Sequence, residues 1–162
     1  FSVAPTTSAS LAHSTVARRK LAIVEGATDA RILSTLLRFG TTDEWAVAQS
    51  HGQLNLARVA AAMADAHRGW DLVIVTDGDG APDVARKRIR LELDRLAPHL
   101  QPALNVLNPD LERSLHVRPA RGETDTQLAS ALAAGIARAV QEGSPDVAEL
   151  LQSLDIPRSS FV

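Results

Sequence analysis

Cysteine is absent from this 162-residue chain, which excludes a disulfide framework, a thiolate nucleophile, a zinc ribbon and an iron–sulfur site. Tyrosine is absent too, so no mechanism that needs a tyrosyl nucleophile runs in this chain. The aromatics amount to two Trp and three Phe, too scattered for base-stacking platforms, so RNA recognition by stacking has no support. No apolar run approaches the roughly 18–20 residues of a membrane span, and Phe1–Ser14 lacks a basic start followed by an apolar block. A cytoplasmic chain with no signal peptide and no membrane partner is expected. Neither sign of charge dominates: 17 Lys+Arg against 19 Asp+Glu leave a net charge of −2. Nucleic-acid binding would therefore come from a local patch, not from the field of the whole molecule. There is no P-loop, no H-E-x-x-H, no nucleophile elbow and no dinucleotide fingerprint.

What is present reads as an α/β domain. A hydrophobic fraction of 45% with 22% charged residues is ordinary for a globular chain. Residues 1–17, rich in Ser, Thr and Ala and not opening on Met, read as a flexible tail or linker cut from something longer. Leu21–Val24 is a short apolar run ended by Glu25-Gly26, and Ile32, Leu36 and Phe39 then recur at helical spacing. Thr28 or Asp29 is the expected cap of that helix and Gly40 its end. Trp45–Ala48 reads as a second strand, followed by a helix marked by Leu56, Val59, Met63 and Ala66 that stops near Gly69. Leu72–Val75 is apolar at every position, as a parallel strand covered on both faces requires. A long helix carrying Ala85, Ile89, Leu93 and Leu96 ends at Pro98, and Leu104–Leu107 is a fourth strand. Strands alternating with helices predict a Rossmann-like, mainly parallel four-stranded sheet over residues 18–120. From Thr124 the pattern is helical only, which predicts an extension over residues 121–162 packed on the core.

The acids fall in informative places. Glu25 directly follows the first strand, and Asp77 and Asp79 directly follow the third. In a sheet of order 2-1-3-4 those strand ends flank the switch point where open α/β sheets bind ligands. Three carboxylates in one crevice repel one another, so the site takes up a proton or a cation. Oxygen ligands without Cys or clustered His point to Mg²⁺ or Mn²⁺. The structural alternative is that such acids only cap helices, and for Asp29 alone the cap is the preferred reading.

The run Val24-Glu25-Gly26-Ala27-Thr28-Asp29 followed by Asp77-Gly78-Asp79 resembles a TOPRIM domain. That metal-binding module is shared by topoisomerases, bacterial primases, OLD-family nucleases, small ribosomal-RNA maturases and recombination mediators. The resemblance covers about Lys20 to Val117, and His51-Gly52-Gln53-Leu54-Asn55 is similar to a glycine turn after the second strand in several members. It implies that Glu25 is a metal ligand or general acid/base and that Asp77 and Asp79 hold Mg²⁺. Without tyrosine the topoisomerase branch is excluded, and the zinc and basic modules of primases are absent. The Glu-Gly-x-Thr-Asp form looks most like OLD-family nucleases and their small relatives, with Asn108-Pro109-Asp110-Leu111-Glu112 similar to the segment that supplies a further glutamate. The resemblance thus adds Asp29 and Glu112, which together with Glu25 would complete the site of a second ion. OLD proteins carry an ATPase; its place would be on a domain or subunit outside this chain.

Arg86, Lys87, Arg88 and Arg90 cluster on the helix after the aspartates, and read either as a phosphate-contacting face or as a solvated face partnered by Glu92 and Asp94. His51 and His67 lack metal-ligand spacing. Two functions follow. One is a Mg²⁺- or Mn²⁺-dependent nuclease cleaving phosphodiester bonds in DNA, or in RNA if the maturase-like branch holds. The other is a non-catalytic binding or regulatory module of a larger nucleic-acid machine. For Glu112 the structural alternative is the first turn of a short helix, Pro109 to His116, capped by Asp110 or Asn108.

Overall fold

The computed structural model describes residues 19–76, 82–98, 104–107 and 110–161, and for residues 53, 82, 83, 85, 86 and 104–106 the description covers the backbone alone. The expected tail, residues 1–17, lies outside the described residues, as do Asp77 to Gly80, Asn108 and Pro109.

Strands β1 (Arg19–Val24), β2 (Glu44–Gln49) and β3 (Asp71–Val75) form a parallel sheet in the order β2-β1-β3. Strand β4 (Leu104–Leu107) pairs in parallel with the other edge of β3. Among the described residues six helices accompany them: α1 (Ala27–Gly40), α2 (Leu56–Ala66), α3 (Pro82–Leu96), α4 (Leu111–Ser114), α5 (Asp125–Gln141) and α6 (Pro145–Ser153).

The unbroken apolar strands follow from burial on both faces. Ala22, Val24, Val73 and Val75 point to one side, where Ile32, Leu33 and Leu36 of α1 meet Leu128, Leu132 and Ile136 of α5 and Leu150 of α6. Leu21, Ile23, Leu72 and Ile74 point to the other, against Leu56 and Ala60 of α2 and Ile89 and Leu93 of α3. The register Leu21↔Leu72 through Val24↔Val75 keeps each face continuous across the two central strands. The chain moves from β1 to β2 with α1 on the first face. It then crosses back to β3 with α2 on the second, so one hand of crossover is kept while direction and face both reverse. In open α/β sheets ligands bind at such a reversal, which here lies outside the carboxyl ends of β1 and β3.

Local chemistry sets the boundaries. Neither Thr28 nor Asp29 caps α1: Gly26, with extended backbone, is the N-cap, no side chain bonds there, and both residues lie inside the first turn. The helix starts earlier than the cap rule suggests because the chain breaks from the strand at Glu25-Gly26. It runs through Gly40, and the Thr41 N–H donates to the Leu37 carbonyl at 3.3 Å. The short helix expected from Pro109 to His116 is a single turn, α4, whose Asp110 carboxylate accepts from the Arg113 N–H at 3.2 Å. Thr124 and Gln127 form a reciprocal capping box at the start of α5, and Ser144-Pro145 opens α6 as N-cap and first helical residue.

Basic side chains tie the carboxyl-terminal part to the sheet domain, Arg38 among them through Asp125 at 3.3 Å. Lys20, at 1% exposure, forms an ion pair with Asp43 and lies 3.8 Å from the Asp155 carboxylate. Its even position in β1, shared with Ala22 and Val24, turns it to the face covered by α1. Arg31 of α1 donates to the main-chain carbonyls of Glu123 and, at 3.4 Å, Ala120. No helix among the described residues is long and apolar enough to cross a membrane.

Candidate functional site

The pairing Val24↔Gln49 and Val24↔Val75 brings three strand ends level, so Glu25, Ser50 and Thr76 leave the sheet side by side. Main-chain bonds fix this rim. The Ser50 N–H donates to the Val24 carbonyl at 2.8 Å and the Gly52 N–H to the Glu25 carbonyl at 3.2 Å. Thr76 donates to the Leu107 carbonyl through its N–H at 2.8 Å and its hydroxyl at 3.1 Å. Ser50 and Thr76 are the buried polar residues of this edge, and the Ser50 hydroxyl donates to the Gly52 carbonyl at 2.7 Å. Between them the chain turns through His51 at φ 57° and Gly52 at φ 120°, the second a conformation that requires glycine.

Glu25 is half-buried at the end of β1, directly before the start of α1. The N-cap of that helix is a glycine with no side chain to offer, so its first N–H groups and the positive end of its dipole lie at the rim and favour an anionic neighbour. Asp29, also half-buried, sits in the same first turn. The expected partners Asp77 and Asp79 lie outside the described residues; Thr76, the residue before Asp77, is the last described position of that strand end.

Glu112 stands apart from this grouping in its contacts. Its carboxylate lies 3.8 Å from the Arg118 guanidinium, and it lines a groove of about 520 Å³ with Asp110, Arg113, His116, Val117 and Arg118. Among the described residues no group of three His, Asp or Glu side chains is placed to hold a metal ion. Glu25, Asp29 and Glu112 therefore form no centre by themselves, and any centre at this edge needs the residues after β3. Of the donors described at this edge, the Glu25 and Asp29 carboxylates are of the kind a hard divalent cation such as Mg²⁺ or Mn²⁺ takes, with His51 in the adjoining turn.

On α3, Lys87 and Arg88 are exposed and Arg90 is half-buried; the Arg86 side chain lies outside the description. Among the described residues none of the three cations is ion-paired, and Glu92 is engaged by Arg95 at 3.0 Å instead. His67 is structural: its Nδ1 lies 3.0 Å from the Met63 carbonyl and its ring packs edge-on to Trp70 at 4.8 Å. Sequence reasoning overlooked Ser50, Thr76 and the nearly fully exposed Leu54. The signal for Ser50 and Thr76 was position, a small hydroxyl residue directly following an apolar strand. Comparison with protein-family models, with curated proteins and with solved structures returns no match.

Proposed function

We propose that this chain is a TOPRIM-like domain of the OLD-nuclease type, cleaving phosphodiester bonds in DNA with Mg²⁺ or Mn²⁺. The observation that carries the reading is the level register of β1 and β3, which sets Glu25 beside Thr76 at the reversal point of the sheet, one residue before Asp77. A carboxylate from each strand end is what a hard divalent ion in that crevice needs, and the motif order matches the resemblance drawn from the sequence.

In this reading Asp77 and Asp79 hold the ion, and Glu25 shares it or takes the proton from the attacking water at a carboxylate oxygen. The bound ion supplies Lewis acidity at the scissile phosphate. Asp29 and Glu112 are the added ligands of a two-ion version, in which Glu112 must give up Arg118. Lys87, Arg88 and Arg90, with Arg86 beside them in sequence, grip phosphates next to the crevice, and their lack of carboxylate partners among the described residues supports that role. An ATPase on another domain or subunit is the partner the OLD likeness suggests.

The test is a digest of linear and supercoiled DNA, and of structured RNA, with either metal. Cleavage of DNA that disappears in Asp77→Asn and Glu25→Gln is the expected result. Cleavage of RNA alone selects the maturase-like alternative. Nucleic-acid binding without cleavage of either polymer selects the non-catalytic module.

A further inference from the structure

Leu54 is 95% exposed, while its neighbours Leu56 and Ala57 are buried in the core. It lies in the 3-10 turn Gln53–Asn55 between β2 and α2, and therefore on the same carboxyl rim as Glu25. The turn is anchored on both sides. The Gly52 N–H bonds to Glu25, the Asn55 N–H donates to the Gly52 carbonyl at 3.4 Å, and Leu56 is fully buried. An apolar side chain is thus held out into solvent by a braced loop.

A cation and an anion of α3 stand beside it. Leu54 and Arg88 line one cavity of about 170 Å³ with Ala57, Ile89 and Glu92. Lys87 adjoins Arg88, and neither is ion-paired among the described residues. Val84, 67% exposed, stands on the first turn of α3 at the same rim. A second copy of the chain is a poor occupant of this face. Packing two α3 helices about a two-fold axis, so that Val84 meets the other copy's Leu91, would set Lys87 and Arg88 of both copies against each other. Phosphates flanking an opened base step match an apolar tip beside a helix that carries the exposed cations Lys87 and Arg88.

Building on the DNA-cleaving reading, we propose that Leu54 is a wedge that enters the base stack at the crevice while Lys87 and Arg88 hold the adjoining phosphates. Entry costs least where bases are already unstacked, so the surface favours forks, nicks and strand ends over intact duplex.

The experiment compares a forked DNA and an intact duplex, each with 2-aminopurine at the junction position, in Ca²⁺ as the occupant of the oxygen-ligand site. Wild type raises the fluorescence of the fork on binding. Leu54→Ala, at an exposed position, binds the fork about tenfold more weakly, as expected for losing the burial of one apolar side chain, and abolishes the rise. Leu54→Met retains it, and Arg88→Ala weakens binding while keeping the rise at saturation. An undiminished rise with Leu54→Ala overturns the wedge, as does wild-type binding without any rise, or a Leu54-dependent dimer in sedimentation. Absence of all DNA binding at low salt overturns the DNA-cleaving reading itself, and the wedge with it.

Discussion

Val24 of β1 and Val75 of β3 are register partners, so the two central strands end at one level and hand Glu25 and Thr76 to the same edge. A one-residue slip would move the apolar set of β3 to the opposite face, exchanging Val73 and Val75 with Leu72 and Ile74. The register that closes both halves of the core therefore also positions the candidate site. Packing and the candidate site are coupled at this pair.

The α4–α5 contact depends on a glycine. A Cβ on Gly135 would lie 1.8 Å from the Leu115 carbonyl oxygen, and that oxygen belongs to backbone with no rotamer to change. Gly135→Ala is expected to destabilise the fold by about 3 kcal/mol or more, at the upper end of overpacking costs. Urea unfolding followed by circular dichroism measures it, and a loss under about 0.5 kcal/mol, the scale of neutral surface changes, would refute the contact.

Lys20 places a cation under α1 next to Asp43 and Asp155. Lys20→Met keeps the apolar stem but removes the charge, and is expected to cost about 3 kcal/mol, the scale for breaking a buried pair. Asp155→Asn, at a carboxylate 40% exposed, is expected to cost under about 1 kcal/mol. Denaturant midpoints of the two variants check the order.

Helix α5 opens with the Thr124 hydroxyl accepting from the Gln127 N–H at 3.2 Å while the Gln127 side chain accepts from the Thr124 N–H at 2.9 Å. Thr124→Ala is expected to lower stability by about 1 kcal/mol without changing the site. Thermal unfolding, with DNA binding measured alongside, separates the two effects.

If Lys87 and Arg88 contact phosphates, each alanine substitution reduces the slope of log affinity against log salt by about 1 while leaving sequence preference unchanged. Fluorescence anisotropy over a salt series measures that slope. Unaltered slopes in both variants would place the phosphate grip elsewhere.

The sheet was legible because period and burial agree: Leu72–Val75 has no polar position to mislead, and Glu25-Gly26 breaks the strand where the structure breaks it. The start of α1 was less so. Thr28 and Asp29 carry cap chemistry, but the strand exit at Gly26 had already set the helix origin. Lys20 was not legible, since local charge pattern carries no information about a helix packed over the strand or an aspartate 135 positions away in the chain. At the site, the place of Glu25 at the end of β1 followed from topology. The contact of Glu112 with Arg118 did not, because it depends on the path of the loop after α4.

The central claim is that the ends of β1 and β3 jointly hold one divalent ion. Titration of Mn²⁺ followed by loss of the free-ion paramagnetic resonance signal tests it most directly. The account predicts that wild type binds Mn²⁺, that Asp77→Asn and Glu25→Gln each weaken binding by about tenfold or more, and that Glu112→Gln leaves the first ion in place. Wild type that takes up no Mn²⁺, or binding unchanged in both Asp77→Asn and Glu25→Gln, would contradict it.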